Sequence, residues 1–204
     1  MEQPAVPCPR PMRRADREVH DTAEIDGILR DCADVRVAYQ DAQDLTIVPV
    51  NFAYVLEDGK LTLFMHSALA GRKIDAIRSA GNALPVAFEM DCDVEVYTGR
   101  TPCSSTTAFR SIIGTGVAGL IDETGKKIEA LTLLMRQRTG MKDVKLQPRQ
   151  VGKVAVWRIA STESPQSGIQ HRPCIRTDPH LRLWGGSPVD RKPQKPAIRR
   201  TNGR

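Results

Sequence analysis

The stretch "TIVPVNFAYVLEDGKLTLFMHS", residues 46–67, decides the fold class. Apolar side chains recur at every second position on both sides of Asp58-Gly59, the period of a strand with one buried face. Asp-Gly between two such runs marks a hairpin, because a tight turn needs positive φ at both central residues. Pro49 has no N–H to give to a ladder, so it marks the first arm as an edge strand or a bulge.

The β pattern continues outward. "VRVAYQ", residues 35–40, is a strand candidate, and "LPVAFEMDCDVEVYT", 84–98, is one strand or two with a bend. "AFRSIIGTGVAGLID", 108–122, is a long strand whose Gly114, Gly116 and Gly119 serve curvature or a close approach. "KVAVWRI", 153–159, closes the pattern, with Val154, Val156 and Arg158 on one face and Ala155, Trp157 and Ile159 on the other.

Three helices interrupt the strands. "DTAEIDGILRDCA", 21–33, has Asp21 and Glu24 at capping-box spacing and a stripe of Ile25, Ile28, Leu29 and Cys32. "KIDAIRSAG", 73–81, ends at a glycine, as does "TGKKIEALTLLMRQRTG", 124–140, whose apolar face is Ile128, Leu131, Leu134 and Met135. Six or seven strands joined mostly by short turns, with three helices, predict an antiparallel barrel or sandwich with flanking helices.

Prolines bound the folded part. Four lie in residues 1–11 and six in 162–204, against four in the 150 residues between. Residues 1–11 and 162–204 therefore read as disordered ends, and 12–161 as a single domain. The net charge of +6 resides in the tail, where nine Arg/Lys face three Asp/Glu, while residues 1–161 balance at 21 against 21. Charge thus points to no nucleic-acid surface on the folded part. The first residues have no apolar core of a secretory signal, and no apolar run is long enough to span a membrane as a helix. Five cysteines without a C-x-x-C pair read as free thiols of a reducing cytoplasm. No zinc spacing and no defensible catalytic triad are present. Asp91, Asp93 and Glu95 alternate as an exposed strand face does.

The chemistry follows the hairpin. In "MHSALAGRKIDAI", 65–77, a strand end with His66 and Ser67 runs through Gly71 into a helix starting with Arg72 and Lys73. The first N–H groups of a helix lack partners and carry partial positive charge. A hydroxyl, a planar guanidinium and an ammonium beside them make an anion site, and a phosphate is its natural guest. Each residue also has an ordinary reading. Lys73 and Arg72 can be solvated helix-start cations, Ser67 a turn cap, and His66 a hydrogen-bonded structural histidine.

These segments resemble the FMN-binding split-barrel superfamily, which includes pyridoxamine 5′-phosphate oxidase, and more closely its branch of nitroimidazole-resistance (Nim) proteins. "MRRADREVHD", "VPVNFAYVLEDGKLTLFMHSALAGRKIDAI" and "AFRSIIGTGVAGLI" carry the resemblance, which covers about residues 12–160. It implies a six-stranded antiparallel split barrel and a homodimer with FMN, rather than F420, at its interface. It implies that Ser67, Arg72 and Lys73 meet the FMN phosphate, and that Pro49, Val50 and Asn51 lie along the flavin ring. His66 matches the functional histidine of the Nim branch, and Arg110 and Ser111 match an Arg-Ser pair. Arg72 stands where many relatives have His, and Phe109 where an aromatic hydroxyl is common. The implied activity is an oxidoreductase that passes electrons from a nicotinamide donor to a small acceptor, of which a nitroaromatic is one. The alternative is a module that binds flavin, F420 or haem without turnover. Trp157 reads as core or interface packing, and Asp75 as a helix-start charge.

Overall fold

The computed structural model describes residues 15–162 and the pair Gln170–His171. The expectations for residues 1–11 and for nearly all of the 162–204 tail lie outside the described residues. Among the described residues there are eight strands: β1 Val35–Gln40, β2 Leu45–Val50, β3 Ala53–Glu57, β4 Lys60–Ser67, β5 Leu84–Tyr97, β6 Thr106–Ile121, β7 Ala155–Ser161 and β8 Gln170–His171. The helices are α1 Thr22–Asp31, α2 Arg72–Ser79, α3 Thr124–Thr139 and the single turn α4 Pro148–Val151.

The strands form one antiparallel sheet in the order β2-β1-β5-β6-β7-β4-β3, with the two-residue β8 beside β6. This corrects the six-strand expectation. Seven strands lie on the path, and no ladder joins β2 to β3 among the described residues. The mainly β, antiparallel character with few helices is as expected.

The hairpin of residues 53–67 forms, with Asp58 at φ 48° and Gly59 at φ 73°. Its first arm is shorter than the sequence pattern implies. The alternation breaks at Asn51-Phe52, which sends β2 to one end of the sheet and β3 to the other. Arg138 of α3 explains the break: its Nε donates to the Phe52 carbonyl and its guanidinium sits 4.1 Å from the Phe52 ring centroid. That carbonyl is therefore committed to α3 rather than to a ladder. Pro49 lies on the terminal strand β2, where the missing N–H costs least.

Local chemistry sets the other boundaries. Asp21 caps α1 by accepting from the Glu24 N–H at 3.0 Å. Gly140 ends α3 in the left-handed region at φ 72°. The bend expected in the 84–98 strand is a register shift between Cys92 and Glu95, with Asp93 at φ 53°. One face of the sheet packs with α1 and α2 around Phe52, Phe88, Met65 and Trp157. A smaller cluster, including Ala130, Ile121 and Val156, lies under α3. Among the described residues no helix is long and apolar enough to cross a membrane.

Gly114, Gly116 and Gly119 match the G-x-G-x-x-G spacing, which binds dinucleotides only at a strand-to-helix turn. Here all three lie inside β6. A Cβ on Gly114 would run into the Phe88 ring, and one on Gly116 into the Ala160 backbone. These glycines admit core neighbours. Replacing Gly114 by Ala should overpack the Phe88 site and cost roughly 1–3 kcal/mol, read as a lower denaturation midpoint. An unchanged midpoint would show that the Phe88 ring yields freely.

Candidate functional site

Ser67 ends β4, and four loop residues later Arg72 and Lys73 open α2. Against the β1–β2 ribbon this loop encloses a cleft of about 330 Å³. Tyr39, Thr46 and Val48 line it from the strands, and Ser67, Gly71 and Lys73 line it from the loop and helix. Gly71 is the N-cap at φ 132°, where side chains are strained, and it offers no capping group. The first N–H groups of α2 thus border the cleft without a cap side chain.

Lys73 is half-buried, and its Nζ lies 5.3 Å from the centroid of the Trp157 ring. Among the described residues it has no carboxylate partner. Burial alone pushes its pKa below the ordinary lysine value. Trp157 is fully buried on β7, and its Nε1 donates to Ser67 Oγ at 3.1 Å. Ser67, Trp157 and Lys73 therefore form one contact chain at the cleft wall.

Arg72 is held differently. Its Nε and Nη2 grip the Asp41 carboxylate at 2.7 and 2.9 Å, and Nη2 also donates to the Asp44 carbonyl at 2.9 Å. Asp41 further accepts the Gln43 N–H at 2.9 Å and the Asp44 N–H at 3.2 Å. The Arg72 guanidinium holds the Asp41 carboxyl well below the usual carboxylate range. Arg72 thus ties the helix start to the β1–β2 turn and shapes the cleft.

Strand alternation separates the remaining candidates. On β4, Met65 and Ser67 share the Trp157 face, so His66 points to the other face with Phe64 and stays exposed. On β2, Val50 shares the inner face with Val48, whereas Pro49 is exposed on the outer one and Asn51 is exposed in the break. Arg110 lies on β6 and binds Asp31 through Nη2 and Asp93 through Nε, both at 2.6 Å; Ser111 is buried beside it. Asp31 precedes β1 and Asp41 follows it, so the six residues of β1 put Arg110 roughly 20 Å from Arg72. Within one chain the structure brings together Ser67, Lys73 and Arg72. Val50, two residues beyond Val48 on the same face, does not line the cleft, and neither do His66, Arg110 or Ser111.

The sequence reading passed over one residue of this site and took another only for packing. Asp41 is the partner of Arg72, and only the Asx-type turn "DAQD" hints at an ordered acid there. Trp157 is the core residue it was read as, and it also touches Ser67 and Lys73. The carboxylates at 91, 93 and 95 are each engaged, with Arg36, Arg110 and the Tyr97 hydroxyl respectively. Among the described residues no cluster of His, Cys, Asp and Glu could hold a metal. A larger cavity of about 480 Å³ lies between α3 and the outer face of the sheet, floored by Phe64 and Leu120 with Arg158 at its rim. It contains none of the anion-binding groups named above.

A family model described as pyridoxamine 5′-phosphate oxidase matches residues 21–166. The chain belongs to the pyridoxamine 5′-phosphate oxidase family. Its fold is similar to that of a candidate 5-nitroimidazole antibiotic resistance protein from Bacteroides thetaiotaomicron, at 24% identity and a TM-score of 0.59. That match covers 72% of this chain and 82% of the other. It is also similar to an FAD and haem binding protein from Mycobacterium smegmatis, at 16% identity and a TM-score of 0.61, over 77% and 73% of the two chains. The flavocytochrome Anf3 from Azotobacter vinelandii matches at 16% identity and a TM-score of 0.56, over 92% of each chain. No curated protein matches.

Because Lys73 has no ion-pair partner to lose, Lys73→Met should leave the stability of the free protein within about 0.5 kcal/mol of wild type or raise it. The sign follows from the lowered pKa: the unfolded chain holds that proton more tightly, so the buried ammonium opposes folding. A fall of more than ~2 kcal/mol in chemical denaturation, beyond what losing the Trp157 ring contact accounts for, would reveal an ionic contact.

Proposed function

We propose that the protein is a flavoprotein that anchors FMN by its phosphate at the β4–α2 junction. The observation that carries this reading is the half-buried ammonium of Lys73, uncompensated by any carboxylate of the described residues, beside a serine hydroxyl and an uncapped helix start. That set fits a phosphate in charge and in hydrogen-bond capacity. Ser67 would donate its hydroxyl, Lys73 would supply the cation, and the first N–H groups of α2 would complete the cradle. Arg72 would keep the β1–β2 turn in place, its charge met by Asp41. Val50 and its neighbours Pro49 and Asn51 would run along the ring. When bound, the flavin supplies the redox chemistry, and the protein positions it and excludes water. The named functions of fold neighbours, one an FAD and haem binding protein and another a flavocytochrome, support this reading.

The proposed activity is transfer of electrons from a nicotinamide donor to a small acceptor such as a nitroaromatic. The placement of His66 favours keeping a second reading, a carrier of flavin, F420 or haem without turnover. His66 lies across β4 from Ser67, so one chain offers no titratable side chain from that strand to the cleft.

A homodimer belongs to the proposal. The outer face of β2-β1-β5-β6 carries Leu45, Ile47, Pro49, Ala38, Ala87 and Ile113 in register, with Leu45 69% and Ile47 62% exposed. A second copy covering this face would remove it from water. Arg110 and Ser111 reach the same flavin only if the second copy supplies them.

Purified protein mixed with FMN should quench its fluorescence and elute at twice the 22.5 kDa chain mass. Stopped-flow mixing with NADH or NADPH should bleach the bound flavin. Absence of FMN binding contradicts the flavoprotein reading. Binding without bleaching by either donor favours the carrier.

A further inference from the structure

We propose that Trp157 is the positioning residue of this anion site: its indole N–H makes the Ser67 hydroxyl a donor, and its ring face holds the Lys73 ammonium without neutralising it. The proposal rests on the reading of the cleft as an FMN phosphate site.

The two contacts follow from one strand register. Trp157 stands opposite Met65 in the β4–β7 ladder, and Ser67 is two residues further along the same face. Full burial fixes the indole, and its Nε1 reaches Ser67 Oγ at 3.1 Å. An indole N–H donates and never accepts. Ser67 must therefore accept from Trp157, and its own proton remains for a further acceptor. Without this contact the hydroxyl could turn either way. The ring face carries negative quadrupole but no net charge, so it attracts an ammonium and leaves its charge available. A carboxylate in the same place would cancel that charge, as Asp41 does for Arg72. Of the three polar side chains at the junction, the two that Trp157 touches keep free capacity for an anion. The third is occupied.

This division assigns Trp157 a role in phosphate recognition and none in holding the ring. Titration with FMN and with riboflavin, which lacks the phosphate, separates the two. Flavin fluorescence gives both affinities for wild type, Trp157→Phe, Ser67→Ala and the double variant. Trp157→Phe keeps an aromatic face for Lys73 and removes the N–H. It should weaken FMN by up to about tenfold, the size of the neutral indole–hydroxyl hydrogen bond that it removes. Riboflavin affinity should stay at the wild-type value. The double variant should bind FMN no more weakly than Ser67→Ala alone, because the indole acts through that hydroxyl.

Equal losses for FMN and riboflavin in Trp157→Phe would make the residue merely structural and overturn the proposal. Unchanged FMN affinity in that variant would overturn it too, while leaving the flavoprotein reading intact. A wild-type protein that binds neither flavin, or both equally, overturns the phosphate reading and this proposal together. Should Trp157→Phe fail to fold, the Trp157 indole N–H resonance of ¹⁵N-labelled wild type serves instead, assigned with Trp184→Phe. It should shift more with FMN than with riboflavin, and equal shifts would contradict the role.

Discussion

The ladder between β4 and β7 is the constraint on which the rest of this molecule depends. It sets Met65 against Trp157 and His66 against Val156. Because side chains alternate across a strand, that single register decides which residues of "FMHS" enter the core and which leave it. A slip of one residue would exchange Ser67 for His66 at the indole and dismantle the anion cleft. The register is protected by burial. Leu61, Leu63 and Met65 on one strand and Ala155, Trp157 and Ile159 on the other are all buried, so a slip would expose an entire face.

Much of the fold was legible because its signals are local. Asp58-Gly59 had to turn, Asp21 had to cap, and Gly140 had to terminate, since each follows from the conformational reach of a few adjacent residues. The division of residues 46–57 was not legible. Both halves show the same alternation, and what parts them is Arg138, a side chain 86 residues away that captures the Phe52 carbonyl. The residue pattern allowed six or seven strands and could not choose between them, for the same reason. A pattern of alternation tells where strands lie, not whether one run pairs with one neighbour or with two. The glycines of β6 were read for curvature, and at Gly114 and Gly116 the need is for space, set by the Phe88 ring and the Ala160 backbone across the sheet.

The site divides along the same line. Ser67 and Lys73 were visible as a hydroxyl and a cation flanking a strand-to-helix loop. Arg72 was visible too, but its commitment to Asp41, 31 residues earlier, was not. Trp157 looked like ordinary core because an aromatic at an alternate strand position usually is. It is core, and it also contacts Ser67 and Lys73 without taking up the hydroxyl proton of the one or the charge of the other. The resemblance grouped His66, Arg110 and Ser111 with the same cofactor. The chain alone places them elsewhere, on the other side of β4 and at the far end of β1.

The central claim is that a phosphate sits between the end of β4 and the start of α2, held by the two groups that the buried indole arranges. A crystal structure of the full chain grown with FMN tests it most directly. The account predicts phosphate oxygens within hydrogen-bonding distance of Ser67 Oγ, Lys73 Nζ and the first N–H groups of α2. A flavin whose phosphate lies anywhere else, in the α3 cavity or in solvent, would contradict it.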